Sequence, residues 1–504
     1  MNLFFARFQL GLYQIPKSEP NKDLESMSGY DLIVKSAHKG PCLPNEERDA
    51  VDCLAEYAVS TRLEDLPCEV VEHARHVFLD TLGVIMGGSI EPQASAMAHR
   101  LGRQGGGPCT VIGHNLQSSK LNAALVNGTA ATWLDFDSGH RPPPGKPLLP
   151  AAHPPVHLVP AALAAAEAMG ASGAEFLTAL VVGYDIGARI GMASRLRAEI
   201  HPHGTYHNVS AASAAARLEG ADAIRMKNTI ALAVHLEIMP SFENAYQGRT
   251  VRNVYAGVGA TAGILAAQLA KANFSPQHDA LGSIYGAIIS PWLDPERLVK
   301  GLGRQYEITQ GFIKPFAACR FAHPAVEAAE KLIKKHPVDP DDIDAVEVMT
   351  FDWAASLNDQ MPQTDLGAKF SIPWAVASML VRGSAGADEF RSAALRDERL
   401  RAVAARIRVR EDPHYSAMTP SKRPARVTVK TGHGEVYTEE VERSGGGPDA
   451  PLSKEMIRKK FRDLAEPVIG KEQSEAVIDK VDTLGDIADI RDLTRFLIPP
   501  VSSP

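Results

Sequence analysis

Two carboxylates and two imidazoles fall within nineteen positions of this 504-residue chain: Asp135, Asp137, His140 and His153. Between His140 and His153 runs RPPPGKPLLP, too rich in proline for helix or inner strand. Apolar, helix-prone sequence stands on both sides. Acid and base groups therefore sit on an irregular loop held between two expected buried helices, a common way to build a site. Any one of these groups could instead be a helix cap or a surface residue; as a cluster they read as a proton-transfer centre.

Three further stretches carry chemistry. HPHGTYHN (201–208) sets three histidines ahead of an Ala/Ser helix, with His207 beside a helix N-terminus, where a bound anion is favoured. The His201/His203 spacing is only a weak metal signal, and no metal site is expected. QGRTVRNVYAG (247–257) places Arg249, Arg252 and Tyr255 before a glycine-rich helix. Two arginines a turn apart can grip carboxylates, or simply solvate a helix start. FIKPFAACRFAHP (312–324) packs Lys314, Cys319, Arg320 and His323 among apolar residues. A part-buried Lys314 needs an anionic partner, and Cys319 is either a nucleophile or a buried structural thiol. Together these groups suit removal of a proton next to a carboxylate, with cations holding the enolate-like anion. Dehydration, decarboxylation and epimerisation all share that step.

Composition narrows the class. Hydrophobic residues make up 45% and charged residues 22% of the chain, an ordinary globular balance with room for two or more domains. The net charge of −7 comes without a basic block, so nucleic acid is not an expected partner. Five scattered cysteines without a CxxC pair point to a reducing, cytoplasmic setting. No uninterrupted apolar run of about 18 residues occurs, so no membrane span is expected. The opening MNLFFARFQLGLYQIPK lacks the layout of a signal peptide, and residues 1–45 read as a loosely ordered extension. No GxGxxG follows a strand and no GxxxxGK[ST] occurs, so no dinucleotide or ATP site is indicated.

The elements that must position the candidate residues change character along the chain. EVVEHARHVFLDTLGVIMGG carries an apolar stripe at helical spacing, ended by Gly87 and Gly88, with Asp80 set oddly close to it. From Pro155 to about Ser290 helices follow one another, apolar or alanine on most faces, as in a large helical core. After Gly311, DAVEVMTF, ARIRVRED and ARVTVKTGHGEVYTEEV alternate with period two, the last as a hairpin about Gly432-His433-Gly434. The helices 323–336 and 371–383 are interposed. SGGGPDAP (444–451) reads as a linker, after which helix returns and packs back on the first part. The expected architecture is mainly α: an all-helical domain from 46–310 and 450–500, and a smaller α+β lid domain over 311–449.

Several of these segments resemble the MmgE/PrpD family: LDFDSGH, AAHPPVHLVPAALA, ALVVGYDIGARIG, KPFAACRFAHPAVEAA and AKFSIPWAVASML, in the family's order across roughly residues 50 to 495. The family includes 2-methylcitrate dehydratases, cis-aconitate decarboxylases and an iminodisuccinate epimerase. The resemblance implies a homodimer, a site between the two domains, and no metal or organic cofactor. It matches Asp135 to the acidic position of a DFDD-type motif, His153 to an HPG-like histidine, His207 to the histidine before a small-residue helix, and Lys314 to the lysine opening the lid. Arg252 stands where similar decarboxylases have lysine. Gly139, Cys319 and Ser356 stand where the decarboxylase motif has Thr, His and Tyr, so groups expected to protonate a decarboxylation product are missing.

The resulting expectation is a cofactor-independent lyase on a small di- or tricarboxylic acid, foremost a 2-methylcitrate-dehydratase-like hydro-lyase. A base among His153, His207 and Asp135 takes the proton, His140 or Asp137 assists hydroxide departure, and Lys314 and Arg252 hold carboxylates. Arg249, Tyr255, Cys319 and Arg320 complete the expected substrate contacts. The alternatives are an epimerase of an iminodisuccinate-like acid, a cis-aconitate-type decarboxylase, and a non-catalytic binding homologue.

Overall fold

The computed structural model describes residues 49–141 and 152–500. The expected extension over 1–45 and most of the proline-rich loop, 142–151, lie outside the described residues. The described chain is mainly helical, with a helical body drawn from both chain ends and a smaller α+β part. One hydrophobic cluster takes residues from Ala50 to Ile313 and again from Ile457 to Leu497. A second takes residues from Phe316 to Val441, joined by Leu134, Phe136 and Leu464.

Small residues explain how the body closes. Helix Lys120–Ala131 meets helix Val254–Lys271 where Gly128 faces Gly257; a Cβ on Gly128 would come within 2.7 Å of the Gly257 Cα. Helix Cys68–Ser89 packs along the long returning helix Lys454–Asp482. Here a sequence expectation is corrected. Gly87 and Gly88 do not end the first of these helices, which runs on to Ser89. They are thin points instead: a methyl on Gly88 would overlap the Ala130 carbonyl oxygen, and one on Gly87 would come within 2.8 Å of Leu134 and Leu464. Helix Gly173–Ala193 is long and apolar enough to cross a membrane by length and composition, yet all of it from Phe176 onward is buried within the protein. Its two charged residues past the first turn neutralise each other, with Arg189 Nε 2.8 Å from Asp185 Oδ2.

The α+β part is one four-stranded sheet. Strand Ile343–Thr350 pairs parallel with Ile407–Glu411 on one side and antiparallel with Ala425–Thr431 on the other. Val436–Val441 completes the hairpin at the edge, as the Gly432-His433-Gly434 turn predicts. Alternating burial along Ala425–Thr431 shows one covered face, against which helix His323–Lys335 lies. The segment 444–451 is more than a linker: Ile313 N–H donates to the Gly446 carbonyl at 2.9 Å, and Arg320 donates to the Ser444 and Gly445 carbonyls.

Candidate active site

The centre forms where helix Lys120–Ala131 gives out. The chain turns through Thr132 and enters the left-handed region at Asp135, with φ of 48°, a conformation that non-glycine residues adopt only when their surroundings enforce it. Two buried cations enforce it. Arg252 Nη2 lies 2.5 Å from Asp135 Oδ1, and Lys314 Nζ lies 3.1 Å from Oδ2 and 2.6 Å from the Asp135 carbonyl oxygen. Arg252 also donates to the Thr132 carbonyl at 3.0 Å, from the short turn Thr250–Asn253. All three side chains are buried. The expected anionic partner of Lys314 is thus Asp135.

Two residues on, the loop reaches Asp137, wholly buried. Its Oδ2 lies 2.7 Å from His153 Nδ1, and its Oδ1 lies 3.9 Å from Lys314 Nζ. Burial alone would raise the Asp137 carboxyl, but His153, Lys314 and Arg252 outweigh it and hold the group well below the usual carboxylate range. Asp137 is therefore fixed as a carboxylate, which corrects its expected part as an acid. His153 keeps a partly open side chain.

The segment carrying these groups is stitched to the lysine segment by a short antiparallel pairing, Gly139 opposite Phe312 and His140 opposite Gly311. Gly139 is required there: a Cβ would come within 2.6 Å of the Ala152 carbonyl oxygen and 2.7 Å of the Phe312 ring. This gives a local reason for glycine where the decarboxylase motif has threonine.

An array of imidazoles stands behind His153. Ring centroids separate His153 from His203 by 5.1 Å, His203 from His157 by 5.4 Å, and His157 from His207 by 5.5 Å. His201 lies 4.8 Å from His203. Burial pushes His157 down to about 3 and holds His201 and His203 well below the ordinary imidazole value, so all three are neutral. Asp137, His153 and His203 each present a ligand atom within 4.8 Å of the others and could together receive a metal ion. His153 Nδ1 also stands 3.0 Å from the Ser138 carbonyl oxygen, which takes its hydrogen bond, while the buried Asp137 oxygens have no hydrogen-bond partner among the described residues and act on the ring through their charge.

Several expected site residues stand elsewhere. His207 opens helix His207–Leu218 one imidazole removed from His203, with Nδ1 3.3 Å from Ser210 Oγ; His203 takes the place expected of it. His140 is buried, with Nε2 3.1 Å from Glu307 Oε2, in a network reaching Asp185 through the Glu307 backbone N–H. Arg249 is exposed and has no side-chain hydrogen bond or ion pair among the described residues, so the structure does not bring it to the centre. Tyr255 is buried beside His201 at 5.7 Å and accepts a hydrogen bond from Asn244. Cys319 is half-buried, and burial together with the Asp135 charge pushes its thiol up to about 11, which corrects the nucleophile alternative. Arg320 lies over the Phe312 ring at 4.9 Å, away from Asp135. Ser356 is exposed and donates to the Trp353 carbonyl.

Two lysines escaped the sequence reading. Lys460, on the returning helix, lies 2.6 Å from Asp80 and donates to the carbonyls of Phe136 at 2.7 Å and Lys314 at 3.1 Å. It thereby ties together the loop and the lysine segment and gives Asp80 its partner. Only the odd polar position of Asp80 signalled it. Lys369, in AKFSIPWAVASML, is buried, donates to the Trp133 carbonyl at 2.9 Å, and is lowered by burial to about 8. It lines a cavity of about 510 Å³ with Trp133, Asn253, Glu91 and Arg391.

With this geometry the chain belongs to the MmgE/PrpD family: the family's N-terminal domain matches residues 52–289 and its C-terminal domain residues 316–484. Among curated proteins it is similar to the cis-aconitate decarboxylase-like protein oryM of Aspergillus oryzae, 26% identical over 88% of this chain and 96% of that one. It is also similar to the cis-aconitate decarboxylases of Aspergillus terreus, 24% identical over 90% and 96% of the two chains, and Mus musculus, 25% identical over 86% and 90%.

Proposed function

We propose that the chain is a cofactor-independent lyase of a tricarboxylic acid, foremost a hydro-lyase of the 2-methylcitrate dehydratase kind. The observation that carries this reading is the Asp137–His153 contact beside Lys314. His153 Nδ1–H donates to the Ser138 carbonyl at 3.0 Å with the Asp137 carboxylate 2.7 Å away; both favour a proton on Nδ1 and leave Nε2 as the base. Nε2 takes the proton alpha to a substrate carboxylate, and the electron pair of that C–H bond enters the carboxylate as an enolate-like dianion. Lys314 spends two of its three N–H donors on Asp135, so one remains for that charge. The enolate collapses as the C–O bond on the neighbouring carbon breaks. The His153 imidazolium returns its proton to the departing hydroxide, releasing water and regenerating the base.

A second reading, a carboxy-lyase, is favoured by the names of the relatives. In it His153 enters as the imidazolium, the C–CO2 bond breaks with its electron pair left on the carbon, the imidazolium protonates that carbon, and His153 regains its proton from water. One experiment separates the two readings: 2-methylcitrate, citrate and cis-aconitate are followed by proton NMR in D2O with released CO2 assayed. A hydro-lyase gives an alkene product without CO2. CO2 release establishes the second reading, deuterium in recovered substrate with neither loss indicates epimerisation, and inertness toward the whole panel overturns the proposal.

A further inference from the structure

Three arginines, Arg141, Arg320 and Arg423, lie close enough to repel one another beside Phe312. Arg320, 6% exposed, lies over the Phe312 ring at 4.9 Å, while the His153 ring stands 5.9 Å from the same ring. Arg423, also 6% exposed, lies over the Phe321 ring at 5.0 Å. Arg141 directly follows His140, with its backbone N–H on the Gln310 carbonyl.

None of the three has an ion-pair partner among the described residues. Arg320 donates only to neutral acceptors: His323 Nδ1 and the Ser444 and Gly445 carbonyls. The Arg423 guanidinium makes no hydrogen bond among the described residues, and its buried Nε is unpaired, as are Arg320 Nε and Arg141 Nη2. The nearby acids are engaged elsewhere: Asp449 with Arg443 at 3.0 Å, and Glu327 with Lys331 at 3.0 Å and the Gly445 N–H at 2.8 Å. Residues 142–151, next to Arg141 in sequence, contain no acid. Burial depresses all three, helped by Arg141 at Arg320, by Arg141 and Arg320 at Arg423, and by Arg443 at Arg141; Arg320 falls to about 9 and Arg141 to about 10. Guanidinium groups keep their protons in such settings, so an uncompensated positive charge is built into the wall of the site. Buried charge of this kind is costly until an anion meets it.

We propose that Arg141, Arg320 and Arg423 receive a carboxylate of the substrate remote from the carbon that His153 deprotonates. This rests on the reading of the centre as a carboxylic-acid lyase, and it assigns that substrate an additional carboxylate beyond the one facing Lys314. Planar guanidinium forks suit a carboxylate, which they can bind through paired hydrogen bonds.

The test is calorimetric titration of the full chain with tricarballylate, which cannot be dehydrated, and with the monocarboxylate butyrate, for wild type, Arg423→Gln and Arg423→Lys. Tricarballylate affinity falls by about tenfold or more in Arg423→Gln and partly recovers in Arg423→Lys, while butyrate affinity changes by less than about twofold. Should Arg423→Gln melt early, Arg141→Gln provides the same comparison at a half-buried position. Unchanged tricarballylate affinity in the glutamine variants, or an equal loss for both ligands, overturns the proposal. The same titration on His153→Ala separates it from the lyase reading, because binding through the arginines survives there whatever the reaction proves to be.

Discussion

Asp137 Oδ2 and His153 Nδ1 stand 2.7 Å apart, joined across a loop from which ten residues, 142–151, lie outside the described structure. The contact defines the base. His153→Ala should abolish turnover with little change in Tm, since the side chain is partly open. Asp137→Asn removes the charge that stabilises the His153 imidazolium and should lower kcat by about 10²–10⁴-fold. Steady-state rates alongside melting curves check both; full activity in either variant removes His153 from the proposed role.

Acid sensitivity follows from the buried imidazoles. Burial depresses His157, His201 and His203 below their ordinary value. Above about pH 6.5 folded and unfolded chains both carry these rings neutral, and they contribute no pH dependence. Below it the unfolded chain takes up protons that the folded chain refuses, so stability falls with falling pH, by about 1.4 kcal/mol per ring per pH unit. Denaturant titrations between pH 7 and pH 5 should show this slope, and His157→Gln should make it shallower.

Lys460 is predicted to matter far beyond its sequence neighbourhood. Lys460→Met leaves Asp80 buried without its partner and frees the carbonyls of Phe136 and Lys314. A loss of about 3–5 kcal/mol in stability is expected, together with reduced kcat. Adding Asp80→Leu should restore much of the stability but not the rate, since the backbone ties to Phe136 and Lys314 remain missing.

Gly88→Ala tests the helix packing. Its methyl would overlap the Ala130 carbonyl oxygen, so a destabilisation of about 1–3 kcal/mol or more is expected by urea unfolding. An unchanged midpoint would mean the two helices stand further apart than described.

The legible parts of the sequence were those with strong local signals. Period-two alternation located the sheet strands, and the turn at Gly432-His433-Gly434 set the hairpin register. Clustering of Asp135, Asp137, His153 and Lys314 on irregular segments pointed to the centre they in fact share. Partner choice was not legible, because it depends on contacts far apart in sequence. His140 meets Glu307, His207 stands behind His157, and Asp80 meets Lys460 across 380 positions. Gly87 and Gly88 misled for a related reason: a glycine at a helix end and one at a helix crossing look alike until the neighbouring helix is known. Lys369 was hidden within an apolar motif whose helix pattern drew attention away from it.

Lys460 also sets an order of events during synthesis. Every side chain proposed for proton transfer leaves the ribosome by residue 314, yet the ammonium that clasps the Phe136 and Lys314 carbonyls follows Lys314 by 146 positions. A nascent or prematurely terminated polypeptide ending before residue 460 would carry the reactive groups without their clasp, so competence is gained only once that residue has emerged.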